Sequence, residues 1–251
     1  MYEYVDKFVI VESVETFRGK PKPLFYQENR ERYKQFSDKI IHVVLEERQD
    51  TTNPWVREAF QRNQIMRGLK DCVPEDIVFI SDVDEIVRGS VIPKIVQLIS
   101  SHEEEVVVCD QPIYRFYLNV KDPCIWVGTC ATTFQYLSKI GPEELRVGSD
   151  GLSVNGDIKL LYPCIPDAGW HFTSIGGLKV QIEKLEAFSH QESDLPENKT
   201  QKAMDTYMEA YCRIVPLDDT FPAYIRDNQK YYRSIGWIYE GKEYKKATLQ
   251  T

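Results

Sequence analysis

The chain has 251 residues, 42% hydrophobic and 12% aromatic, enough for one large α/β domain or two small ones. Its net charge of −8 argues against a general nucleic-acid binder, which would show a basic face. There is no run of about 18 apolar residues to span a membrane. Met1–Asp6 also lacks the basic and apolar parts of a signal peptide.

The elements can be read in chain order. Val5–Glu12 is a predicted strand, and Phe17–Pro23, with Gly19, Pro21 and Pro23, is a loop. Gln27–Phe36 reads as a short charged helix and Ile40–Leu45 as a second strand. Asn53-Pro54 is a helix start, Asn as cap and Pro in the first turn, and the helix is expected to reach about Asp71. Ile77–Ile80 is the next strand, and Ser90–Ser101 is a helix with Val91, Ile95, Leu98 and Ile99 on one side. Val106–Cys109, Ile113–Leu118 and Ile125–Phe134 are strand-like, and Gly141–Pro166 reads as turn-rich with an extended Lys159–Tyr162. Leu178–Phe188 and Gln201–Cys212 are predicted helices, followed by a polar tail from 232 to 251. Strands alternating with helices, then a strand-rich half, point to an α/β domain. Its expected centre is a mixed, mostly parallel sheet flanked by helices and extended by antiparallel strands. With no repeat or low-complexity linker, residues 1–251 are expected to form a single domain.

The densest chemistry lies at Ser81-Asp82-Val83-Asp84-Glu85, directly after an apolar strand. Carboxylates at the carboxyl end of such a strand sit where open α/β sheets bind ligands. If extended geometry persists, Asp82 and Asp84 point to one side and suit Mg²⁺ or Mn²⁺ carrying a diphosphate. The plainer reading is an acidic turn capping the next helix. Arg62 falls within an apolar stripe of Trp55, Ala59, Met66 and Leu69, and a guanidinium there needs an anion. Either Glu58, four residues earlier, or a phosphate can supply it. Arg18, Lys20 and Lys22 form a basic loop after the first strand, suited either to a nucleotide diphosphate or to solvent. In Asp167–Phe172, His171 is either a packed histidine or a metal ligand, and Asp167 can serve as a general base. His190 follows a helix containing Lys184, which explains it electrostatically, although an acceptor or phosphate contact is also open. The six cysteines form no CxxC and read as free thiols, mostly buried.

Together these segments resemble glycosyltransferase family 17. The matching stretches are Val5–Ser13, Gly19–Leu24, Arg57–Asn63, Ile80–Ile86 and Asp167–Phe172. The Asp82–Ile86 motif alone occurs in several transferase families, and its combination with Gly169-Trp170-His171 is more specific. The resemblance implies a GT-A-like nucleotide-sugar-binding fold, a UDP-sugar donor (N-acetylglucosamine), a glycan acceptor, a divalent metal and an inverting transfer. It makes Asp82 and Asp84 the metal and diphosphate motif and His171 a further metal or diphosphate ligand. Glu12, Arg57 and Arg62 become donor-site candidates beside Arg18 and Lys22. Asp167 is the expected base, with Asp110 and Asp150 as rivals.

Two departures shape the expectation. The family carries a further strand and helix ahead of the segment matching Val5–Ser13, so part of the nucleotide-binding half is expected to be absent here or replaced. Without a membrane anchor, a cytoplasmic enzyme of bacterial or viral type is expected; a Golgi lumen location fits only a fragment of an anchored protein. The rival readings are a degenerate, transferase-like binding protein without turnover and another metal-dependent nucleotide-processing enzyme.

Overall fold

A computed structural model describes residues 1–149, 152–154, 157–159 and 161–241. The chain opens with β1 (Phe8–Ser13), the single-turn helix α1 (Phe25–Glu28) and a 3-10 segment, Arg30–Phe36. It continues through β2 (Ile40–Leu45), α2 (Pro54–Asn63), a 3-10 turn at Gln64–Gly68 and β3 (Ile77–Ile80). Next come β4 (Glu85–Val87), α3 (Ile92–Ser100), β5 (Val106–Arg115) and β6 (Val120–Thr133). The helices α4 (Phe134–Ile140) and α5 (Pro142–Ser149) follow, then β7 (Leu152–Val154), β8 (Asp157–Lys159), β9 (Cys164–Ile165) and β10 (Gly169–Thr173). The C-terminal part holds α6 (Leu178–Leu185), α7 (Gln201–Tyr211), β11 (Arg213–Ile214), α8 (Ala223–Asp227) and α9 (Gln229–Ser234).

The main sheet runs β11-β6-β5-β10-β4, with β3 also beside β6 and β9 beside β5. β5 is parallel to β9 and β10, but the β3–β6, β5–β6, β6–β11 and β4–β10 pairs are antiparallel. The expected mostly parallel sheet is therefore corrected to a mixed one. The cause is local: a connection of four residues, 116–119, joins β5 to β6, and so short a link can only return the chain antiparallel. β1 and β2 form a separate parallel pair, in register from Phe8↔Ile40 to Ser13↔Leu45.

Both faces of the main sheet are covered, as its apolar strands require. On one face Ile92, Ile95 and Ile99 of α3 pack on Val107, Cys109 and Ala131. On the other, Leu69, Leu137 and Leu145 pack on Val78, Ile80, Val106, Val108 and Cys130. α4 and α5 correct the turn-rich reading of 141–166: Gly141, at φ +85°, ends one helix, and Pro142 starts the next. The helix expected to reach Asp71 stops at Asn63 and tightens into the 3-10 turn, and Trp55 is exposed rather than part of the core stripe. The cysteines are free, with Cys109 and Cys130 buried and Cys124 exposed, and burial pushes the Cys109 thiol up to about 12. Among the described residues no helix is long and apolar enough to cross a membrane.

Candidate active site

β3 delivers the acidic segment to the floor of a cleft of about 2520 Å³. The strand ends at Ile80, and Glu85 N–H donates to Asp82 C=O at 3.0 Å, so Asp82–Glu85 is a turn rather than an extended run. The two aspartates consequently face different cations. Asp82 Oδ1 lies 3.3 Å from Arg62 Nη2, and Oδ2 lies 3.5 Å from Arg146 Nη2. Asp84 Oδ2 lies 2.8 Å from Lys184 Nζ and 3.4 Å from His171 Nε2. Burial pushes the Asp84 carboxyl up, but His171 and Lys184 outweigh it and hold the group well below the usual carboxylate range.

Arg62 stands in the last turn of α2. The helix begins where expected: Asn53 Oδ1 accepts from Trp55 N–H at 3.0 Å, with Pro54 in the first turn. The partner four residues earlier is present, Glu58 Oε1 lying 2.7 Å from Arg62, and Asp82 and Glu143 also pair with it. Burial alone would ease its proton off, yet Asp82, Glu143 and Glu58 more than offset that and keep it firmly charged.

Beneath the turn lies a buried polar network that the sequence reading missed. Glu85, 5% exposed, bonds the Trp126 indole N–H, Arg146 Nη2 at 2.8 Å and Thr129 Oγ1 at 3.2 Å. It also accepts from Asp82 N–H at 3.1 Å, which fixes the turn. Burial raises the Glu85 carboxyl, and Arg146 opposes that shift. A Cβ on Gly128 would come within 2.2 Å of Glu85 Oε1 and of Trp126 Nε1, so glycine there makes room for the network. The β4–β10 register sets His171 opposite Glu85, and the His171 ring packs against Trp126 at 4.8 Å. His171 Nδ1 is buried without a hydrogen-bond partner among the described residues.

The structure brings Glu12, Lys22, Arg62, Asp82, Asp84 and His171 to the cleft, but not Arg18, Arg57 or Asp167. Glu12 already has a structural role: its carboxylate accepts from Tyr26 N–H at 2.7 Å and Gln27 N–H at 3.1 Å, starting α1, and faces His42 Nε2 at 2.9 Å. Burial lowers the Lys22 ammonium, and Glu12 partly restores it. Arg57 clamps two loops through Glu15 at 3.4 Å and the carbonyls of Phe17, Gln49 and Thr51. Arg18 pairs with Asp194. Asp167 sits at the far end of β10, largely exposed, 3.2 Å from Arg88 Nη2. Its rival Asp110 also lies outside the cleft, its carboxyl raised by burial and by Asp167, and Asp150 lies outside the described residues.

At the cleft rim, exposed Trp55 meets His190 edge-on at 4.7 Å, with Phe188 5.5 Å from the same imidazole. Ser189 donates to Glu58, tying this rim to the Arg62 cluster. Arg146 and Lys184 are the cations that pattern reading overlooked. Arg146 was hidden because its helix was not foreseen. Lys184 is an ordinary lysine in its own helix and gains meaning only opposite Asp84.

Asp82 and Asp84 suit a hard divalent ion that completes its shell with water and substrate phosphates. Among the described residues no group of three or more His, Cys, Asp or Glu side chains is arranged to hold a metal alone. An ion held there would take one or both of these carboxylates and draw the rest of its shell from water and substrate phosphates.

One cleft of this mixed α/β frame thus holds paired carboxylates and convergent cations. Residues 1–108 match the model of glycosyltransferase family 17, the family that the sequence resembles, and the match supports a glycosyltransferase enzyme. It takes in Glu12, Arg62, Asp82 and Asp84, whereas His171 and Lys184 lie beyond it. Neither the curated proteins nor the solved structures contain a match to this chain.

Proposed function

We propose that the protein transfers a sugar, N-acetylglucosamine by family resemblance, from a UDP-sugar to a glycan hydroxyl with inversion, on a GT-A-like frame. The observation that carries this reading is the convergence of Arg62, Arg146 and Lys184 on the Asp82–Asp84 turn inside one cleft. Three cations stand there among five carboxylates, Asp82, Asp84, Glu58, Glu85 and Glu143, an acidic balance that a divalent cation would offset so that a diphosphate can bind.

Asp82 and Asp84 would hold Mg²⁺ or Mn²⁺, which supplies Lewis-acid stabilisation of the diphosphate leaving group. Arg62 and Lys184 then turn from the aspartates to the diphosphate oxygens, where negative charge develops as the glycosidic bond breaks. Glu85 and Arg146 hold the turn in place. Glu58 is the carboxylate best placed to take the acceptor proton, between Arg62 and the Trp55–His190 rim; release of Arg62 to the diphosphate frees it. The exposed Trp55 face offers a platform for the apolar side of an acceptor sugar.

The test is a screen of UDP-sugars with glycan acceptors, reading UDP release and product stereochemistry. Acceptor-dependent UDP release that is abolished in Asp82→Ala supports the proposal. UDP binding without turnover for any donor favours a degenerate binding protein, and acceptor-independent cleavage of nucleoside triphosphates favours a different nucleotide-processing enzyme.

A further inference from the structure

Two strand edges that no backbone among the described residues pairs with line the same cavity. In β1, Phe8 N–H donates to Lys39 C=O and Val14 N–H donates to Leu45 C=O, so the even-numbered residues bond toward β2. The peptide groups of Val9 and Val11 therefore point the other way. In β3, Asp76 C=O accepts from Phe134 N–H, which sets Val78 and Ile80 in the bonded pairs with β6 and turns the peptide groups of Ile77 and Phe79 outward. Among the described residues a single long contact, Gln61 Nε2 to Val11 C=O at 3.5 Å, reaches these outward groups.

The side chains behave as if β1 and β3 belonged to one sheet. Val9 packs on the same cluster as Val78 and Ile80, on the face covered by Leu69. Ile77 and Phe79 pack on the α3 face, with Val96. Yet β1 and β3 are not hydrogen-bonded to each other, and all these residues but Ile80 line the cleft. The space has an unpaired strand edge on two sides and apolar walls on the other two. It opens at its end onto Ser81 and Asp82.

We propose that this slot accepts an extended, nearly continuous apolar strand of about five residues from another polypeptide, by strand addition. The chemistry selects that occupant. Alternating N–H and C=O groups on both edges are satisfied together only by a polypeptide backbone in β geometry, and apolar walls on both faces require apolar side chains at successive positions. Because the slot runs into the Asp82 turn, occupancy would join the β1–β2 pair to the main sheet and fix Glu12 relative to Asp82. The inference stands independently of the transferase reading.

The test uses the whole chain and a synthetic peptide with a Val-Phe-Val-Ile-Val core flanked by lysines. Binding is followed by calorimetry and amide hydrogen exchange. The expected result is saturable binding, with exchange at Val9, Val11, Ile77 and Phe79 slowed at least about tenfold, a change equivalent to about 1.4 kcal/mol. The same peptide N-methylated at alternate residues keeps its apolar surface but loses one bonding edge, and should bind at least about tenfold more weakly. Val96→Lys should weaken binding likewise, and if that variant fails to fold, the N-methylated peptide still decides. Unchanged exchange at the four amides, equal binding of the N-methylated peptide, or amides already slow in the free protein would overturn the proposal.

Discussion

Lys184 Nζ stands 2.8 Å from Asp84 Oδ2, so a cation from the C-terminal half already satisfies the second carboxylate of the acidic turn. Thr173 Oγ1 accepts from the same ammonium at 2.7 Å and steadies it. A divalent ion at Asp84 must compete with Lys184, whereas a diphosphate gains from it. Lys184→Met should therefore tighten Mn²⁺ binding to the free protein and weaken UDP binding, each by about tenfold, the equivalent of about 1.4 kcal/mol. Calorimetry of each ligand alone checks both signs, and weakening of both would show that Lys184 merely holds the cleft together.

Acid stability follows from the same contact. Asp84 is held below its ordinary value in the folded protein, so its contribution is fully present above the unfolded value of about 3.9. It is lost as pH falls from there toward the depressed folded value. Urea unfolding at about pH 5 and about pH 2.5 should show a smaller loss on acidification for Lys184→Met than for the wild type, because the variant's Asp84 is less depressed.

Glu85 and Arg146 test the buried network. Removing one partner of a buried ion pair leaves the other charge uncompensated, so Glu85→Ala should cost about 3–5 kcal/mol in unfolding free energy. Gly128→Ala should also destabilise, because its Cβ would strike Glu85 and Trp126. Denaturant titration checks both, and a Glu85→Ala loss under about 1 kcal/mol would mean that the network is not a buried one.

The choice of base separates two residues by position. Asp167 is exposed at the far end of β10, so Asp167→Asn should leave turnover within about twofold, whereas Glu58→Gln should lower kcat by about 10²–10⁴ with UDP affinity largely kept. Steady-state kinetics on both variants decides, and the reverse pattern would return the role to Asp167.

What the sequence made legible was whatever depended on short-range pattern. β2 and β3 fall at the expected residues because β-branched runs bounded by polar residues leave little choice, and Asn53-Pro54 starts α2 because cap and proline act locally. The Asp82–Asp84 motif was visible for the same reason. Lys184 and Arg146 were not, since each gains its partner across at least 60 residues of chain, Asp84 in one case and Glu85 in the other. Glu12 and Arg57 read as donor ligands in the sequence, and the structure gives each a further set of contacts that no spacing encodes, helix starting for Glu12 and loop clamping for Arg57. The antiparallel β5–β6 pair was hidden by reading β5 as two strands, although Asp110 and Pro112 only mark register shifts within one.

The central claim is that Asp82 and Asp84 bind a nucleotide diphosphate through a shared divalent ion. The most direct measurement is calorimetry of UDP, with and without Mn²⁺, on the wild type and on the double variant Asp82→Ala/Asp84→Ala. The account predicts Mn²⁺-dependent binding with Kd near 1 µM–1 mM, about −8 to −4 kcal/mol, that is lost in the variant. Absence of UDP binding to the wild type under every metal condition, or equal binding to the variant, would contradict it.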